Sequence, residues 1–246
     1  GLLVACLDGN DCEAQGLVKL DILGLNAMSI LAMTIDLIKQ SYGISIILEK
    51  IPLDDKKVYE EISNANTIGG FQINTFSLKQ LLKRMKPQNL FQLSDVIAGV
   101  RPGAQDSGAT DTYINRKNGE KWEPKHPIYE EICQKTFGVI FYQEQVIQTL
   151  HKIAGFSLSE ADEIRRIIAK KKDITLLEKY KDKFVMGCEE QKTFTQKEAE
   201  KFWSDLSHHS HYSFNFSHSI CYSIIAYWTI FLKLYYSDCF ICASLT

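Results

Sequence analysis

Leu17-Val18-Lys19-Leu20-Asp21-Ile22-Leu23-Gly24-Leu25 is the stretch on which the reading of the fold turns, because apolar and charged residues alternate along it until a glycine. Successive side chains on a strand point to opposite faces. Val18, Leu20 and Ile22 are therefore expected to face a core together. Lys19 and Asp21 then share the other face, about 6.6 Å apart at two residues of strand rise. That pairing suits a carboxylate holding a metal and an ammonium reaching a phosphate on the same metal. The spacing equally fits a surface strand carrying an ordinary Lys/Asp pair.

Beyond this β segment of residues 1–25, the apolar period lengthens to that of a helix. Ile30, Leu31, Ile35 and Ile38 recur after Asn26, an N-cap type, and Gly43 suits the position just past a helix end. Ile51 to Tyr59 reads as a turn and then a short helix. Ser77 to Lys86 has Leu78, Leu81, Leu82 and Met85 on one stripe and a basic outer face, before Pro87. Ala98 to Gly103, Ser107-Gly108 and Tyr113 to Gly119 read as turns and a loop, where the Arg101 guanidinium and glycine amides can approach an anion.

Val139 to Tyr142 reads as a brief extended piece running into a helix that ends at Gly155. Gln143 and Glu144 stand at its mouth, where they cap the helix or touch a ligand. In the next helix Ala161, Ile164, Ile167 and Ile168 face inward, while Arg165, Arg166, Lys170, Lys171 and Lys172 crowd the outer side and end. Five cations so close together imply an anionic partner or a well-solvated end. Two more helices are expected over Leu176–Glu190 and Gln196–Leu206.

The 246 residues suffice for a substantial core, and 45% of them are hydrophobic. A net charge of −2 gives no overall attraction to nucleic acid, so any such site must come from local clustering. Seven irregularly spaced cysteines do not form a disulfide pattern, which points to a reducing cytoplasm. Cys239 and Cys242 read as two buried thiols on a helix. The apolar run from Ile220 to Tyr236 is interrupted by Ser223, Thr229 and Lys233 and reads as a buried helix, not a membrane span. Zinc at His208, His209 and His211 is disfavoured, because adjacent histidines do not easily share an ion. The chain starts on Gly1 without methionine and ends at Thr246, as expected of a piece of a longer protein.

Several segments together resemble the α subunit of bacterial replicative DNA polymerase III, the family C polymerases. Gly16 to Leu25 is similar to that family's G-L-V-K-[FM]-D-F-L-G-L, and Ile51 to Val58 to its I-P-L-D-D-x-x-[TSV]. Thr67 to Gln72 resembles a segment that joins palm to fingers. Val100 to Gly119 resembles L-[FV]-R-P-G-P-x-x-S-G-x-x-x-x-[FY]-I-x-R-[KR]-x-G, with Ala104 for the second proline. Thr136 to Val146 resembles T-[YF]-G-[VI]-[IM]-[VL]-Y-Q-E-Q-V, Ser159 to Lys172 the family's R-R and K-K-K run, and Phe214 to Tyr222 its F-N-K-[SA]-H-[SA]-x-x-Y.

The resemblance implies a mainly α (α+β) fold: residues 1–25 as the end of the palm with its third catalytic aspartate, and 26–246 as helical fingers. It implies a DNA-directed DNA polymerase that adds dNTPs to a primer by two-metal phosphoryl transfer with Mg²⁺. By the resemblance Asp21 is the metal ligand and Lys19 a phosphate contact. Arg165 and Arg166 grip the triphosphate, and Asn215, Ser217 and His218 line the nucleotide pocket. Arg101 and Lys170, Lys171 and Lys172 are weaker candidates for DNA or phosphate contact. The implied partners are dNTP, primer-template DNA and the rest of the polymerase chain or replisome subunits, with no membrane.

Two departures bear on activity. The family's upstream D-x-D pair has no counterpart in residues 1–20, where Asp8 and Asp11 are wrongly spaced, so this chain alone is not expected to polymerise. Phe216 stands where the family has lysine, which removes a charge-assisted contact of about 1.5–3 kcal/mol from the phosphate site. The alternative is a decayed or repurposed non-catalytic module for DNA binding or assembly.

Overall fold

The computed structural model of the protein describes residues 3–4, 6–18, 20, 24–170 and 174–246, with the side chains of 170, 174 and 175 left out. The candidates Lys19, Asp21, Lys171 and Lys172 lie outside the described residues, as does the side chain of Lys170.

The expected β segment is corrected: among the described residues there is no strand, only an isolated bridge between Tyr142 and Phe214. Within the first 25 residues Asp8 instead starts a short helix, α1 (Gly9–Ala14), by accepting the Asp11 N–H at 2.9 Å. Val18 and Leu20, expected to face a core, are each 81% exposed. Alternation marks a strand only where a neighbouring strand takes up the backbone groups, and no such neighbour exists among the described residues.

The helices follow the caps written in the sequence. α2 (Asn26–Tyr42) is closed by Gly43 in the left-handed region, φ 69°, whose N–H reaches the Lys39 carbonyl. Its first residue is Asn26 itself, so the expected side-chain cap does not form. α3 (Lys56–Ser63), α4 (Phe76–Met85) and α5 (Leu90–Gly99) begin at Asp55, Thr75 and Asn89, whose side chains accept N–H groups of the first turn. The expected loop after Val100 is largely two helices, α6 (Pro102–Asp106) and α7 (Ala109–Lys117), joined at Ser107-Gly108. Pro102 stands at the first turn, where it has no intrahelical donor to lose.

α8 (Pro127–Cys133) leads through a 3₁₀ turn at Gln134–Thr136 to α9 (Gln143–Ala154), closed by Gly155. Then come α10 (Leu158–Lys170), α11 (Ile174–Glu190), α12 (Gln196–Ser210), α13 (Phe216–Tyr235) and α14 (Ser237–Leu245).

Three buried clusters hold these helices, and each fully buried leucine or phenylalanine contributes about 1.5–3 kcal/mol. Val58, Leu82, Leu93, Val96 and Tyr113 from α3 to α7 pack on Tyr227 and Ile230 of α13. Leu150, Ile153, Ile164, Phe184 and Trp203 join α9 to α12. Leu31 and Ile38 of α2 meet Leu232, Cys239 and Phe240. α13 thus serves two clusters. Its Ser219, Ser223 and Thr229 are buried with their hydroxyls bonded to backbone carbonyls, as a core helix requires. Among the described residues no single helix is long and apolar enough to cross a membrane. Cys239 is buried as expected, whereas Cys242 is exposed.

Candidate nucleotide site

Two stretches about 70 residues apart in sequence form one junction. The Phe214 N–H donates to the Phe141 carbonyl at 2.7 Å, and the Gln143 N–H donates to the Phe214 carbonyl at 2.9 Å. The Gln145 side-chain oxygen accepts the N–H groups of Phe141 and Tyr142, both at 2.9 Å, while its amide donates to the Thr136 hydroxyl at 2.7 Å. The extended piece is thereby locked to its own helix by Gln145.

Glu144 caps a different helix from the one it belongs to. Its carboxylate accepts the Phe216 N–H at 3.0 Å and the Asn215 side-chain amide at 3.1 Å, at the positive end of α13. Asn215 in turn accepts the His218 N–H at 2.8 Å. Both polar ends of Asn215 are thus engaged within the fold, while Ser217 and His218 stand exposed.

Arg101 joins this group: its guanidinium lies 4.2 Å from the Phe214 ring centroid. The His218 ring lies 5.3 Å from Phe214 and 4.0 Å from Tyr222, continuing the aromatic edge to Phe71. Beside it a hollow of about 350 Å³ opens against Arg101, Gly103 and Tyr212. A Cβ on Gly103 would sit 2.6 Å from the Tyr212 ring, so that wall can close only on glycine. Phe214 thus joins Arg101 to His218, and Asn215 and Ser217 stand at the same helix start.

Arg165 and Arg166 stand on α10, which packs against α11, α12 and α9, the helix that begins at the Tyr142–Phe214 junction. Both guanidiniums hold Asp162: Arg165 through Nη2 at 2.7 Å and Nε at 2.9 Å, Arg166 through Nη2 at 2.7 Å. The Arg165 contact, ahead of the smaller Arg166 contribution, keeps the Asp162 carboxyl below its ordinary range. One carboxylate against two guanidiniums leaves one positive charge over. Contrary to expectation the pair does not share an outer face: the Arg165 side chain is 13% exposed and that of Arg166 is 66% exposed.

Other basic groups of the sequence are committed to the fold. Arg116 donates to the Phe137 carbonyl at 3.0 Å and stacks on Trp122. Lys117 donates to the carbonyls of Met85 and Lys86, and its partial burial lowers its pKa to about 8. Among the described residues no three His, Cys, Asp or Glu side chains gather as a metal would need. The magnesium ligand implied by resemblance, Asp21, lies outside the described residues. His208 lies 2.8 Å from the Tyr212 hydroxyl, and burial holds His209 down at about 4.

The sequence reading missed Asp95. It is 2% exposed on α5, accepts the Tyr142 hydroxyl at 2.6 Å and the Tyr113 hydroxyl at 2.8 Å, and is raised to about 7 because burial outweighs both phenols. Its one sequence signal is a carboxylate set among apolar neighbours in Leu93-Ser94-Asp95-Val96.

The pattern described as "Bacterial DNA polymerase III alpha subunit finger domain" matches residues 27–192. The DNA polymerase III subunit alpha of Aquifex aeolicus is 40% identical over 235 residues, 95% of this chain and 20% of that protein. The protein of the same name from Campylobacter jejuni is 39% identical over 246 residues, 99% of this chain and 20% of that one. That of Saccharopolyspora erythraea is 37% identical over 251 aligned positions, 100% of this chain and 21% of that one. The chain thus spans about a fifth of the length of these relatives.

Proposed function

The chain belongs to the bacterial DNA polymerase III alpha subunit family, within its finger domain, and from that premise we propose that it forms part of a template-directed DNA polymerase and supplies the grip on the incoming dNTP. Residues 26–246 act as fingers and 1–25 as the end of the palm. Arg165 and Arg166 take the triphosphate, exchanging a shared carboxylate for phosphate oxygens. Planar guanidinium forks suit that exchange. Asn215, Ser217 and His218, with Arg101 beside them, face nucleotide and primer end. Lys170, Lys171 and Lys172 contact the template backbone. The setting is the cytoplasm, and the remaining replisome parts come from elsewhere.

The observation that carries this reading is the surplus positive charge at Arg165, Asp162 and Arg166. The reading gives Asp21 to magnesium and Lys19 to phosphate.

Primer extension by the longer polymerase tests the proposal. Asp21→Asn is expected to abolish extension, and Arg165→Ala/Arg166→Ala to raise the dNTP concentration needed for half-maximal rate. Undiminished extension by both variants contradicts it. Phe216 favours a second reading, a non-catalytic DNA-binding or assembly module, because its ring packs against Phe91 and Tyr142 where resemblance expects a cation. That reading predicts DNA binding without triphosphate binding.

A further inference from the structure

We propose that the hollow between α5, the Gln134–Thr136 turn, α9 and the start of α13 binds a flat aromatic molecule carrying an acidic group. The hollow shares Phe216 and Glu144 with the start of α13, next to Asn215, and the inferred guest is distinct from the dNTP of the polymerase reading. The hollow measures about 350 Å³, within the size range of small-molecule sites. Two of its walls are the Phe91 and Phe216 rings, which lie 4° from parallel with centroids 6.2 Å apart. Tyr142 meets Phe216 edge-on at 4.9 Å, and Ile132 adds a further apolar wall. Such walls favour a planar aromatic guest.

The sign of its charge follows from what is already matched. Glu131 is held by Lys152 at 2.9 Å, and Glu144 is turned to the amides of α13. Asp95, also part of the lining, is enclosed by two phenol donors, and burial keeps it partly protonated near neutral pH. What remains is the Lys135 ammonium, 4.6 Å from the Phe91 ring centroid, together with the Gln148 amide. An acidic substituent on the guest meets that ammonium while its ring rests on the two phenylalanines.

The 246-residue chain can be titrated with 1-anilinonaphthalene-8-sulfonate, followed by fluorescence and calorimetry. One saturable site is expected. Phe91→Ala and Phe216→Ala should each weaken it about tenfold, the loss of a ring contact. Lys135→Gln, an exposed change that does not threaten folding, should weaken it about threefold. The uncharged N-phenyl-1-naphthylamine should bind more weakly, and Phe76→Ala, on another surface, should change nothing. Excess dATP should leave the dye bound.

Non-saturable binding, indifference to Phe91→Ala and Lys135→Gln, or tighter binding of the uncharged dye would each overturn the proposal. Displacement by dATP would do so too, by making the hollow part of the nucleotide site. Failure of dNTP binding elsewhere on the chain leaves the dye result untouched.

Discussion

Asp95 and Asp162 are each held by two partner residues, yet they sit in opposite electrostatic regimes. Asp95 is buried under α13 with two neutral phenols and is pushed up to about 7. Asp162 lies at the surface of α10 with two guanidiniums and is held below its ordinary range. Neutral donors satisfy a carboxylate's lone pairs without offsetting the cost of burying its charge, whereas cations favour the charge itself. The first arrangement builds the fold. The second keeps positive charge available at the surface, which is what an anionic ligand can use.

The largest effect comes from breaking the buried member. Asp95→Ala strands the hydroxyls of Tyr113 and Tyr142 without their acceptor, and is expected to cost about 2–4 kcal/mol in denaturant melts. A cost below 1 kcal/mol would mean that water replaces the carboxylate. Asp162→Ala, at ion pairs partly open to solvent, should cost less, about 1 kcal/mol.

The pH dependence sharpens the same contrast. Because folding raises the Asp95 pKa, its stabilising contribution is full below about 4 and is lost as pH rises through about 7. Asp95→Asn should flatten that slope by a few kcal/mol at most. His209, held down at about 4, acts in the opposite sense and loses stability as pH falls through its window. The informative quantity is therefore wild type minus Asp95→Asn, measured by urea melts from pH 4 to 8. No difference in slope would show that Asp95 stays ionised.

The smallest effect is on ligand affinity. Asp162→Asn removes the charge that competes with phosphate and should tighten triphosphate binding about threefold. Weaker binding would instead make Asp162 the group that positions the two arginines.

Most helices were legible because their ends are local. Gly43, Gly155 and Pro87 stop helices by backbone geometry that needs no tertiary partner. The N-terminal alternation does not appear as a strand among the described residues, because a strand's stability lies in its neighbour, which local sequence does not contain. The glycines after Arg101 suggest a loop, yet Pro102 opens a short helix there. Glu144 stands at the mouth of α9, as its sequence position suggests, but the mouth it caps belongs to α13. Asp95 was missed because its partners, Tyr113 and Tyr142, are 18 and 47 residues away. The site candidates split in the same way: Arg165 and Arg166 are legible as a dense charge run, while their capture by Asp162 depends on rotamers.

Titration of the chain with a dNTP, comparing wild type with Arg165→Ala/Arg166→Ala at equal ionic strength, tests the central claim most directly. The account predicts a loss of at least about tenfold, from charge-assisted bonds each worth about 1.5–3 kcal/mol. Identical affinity in the two proteins would contradict it.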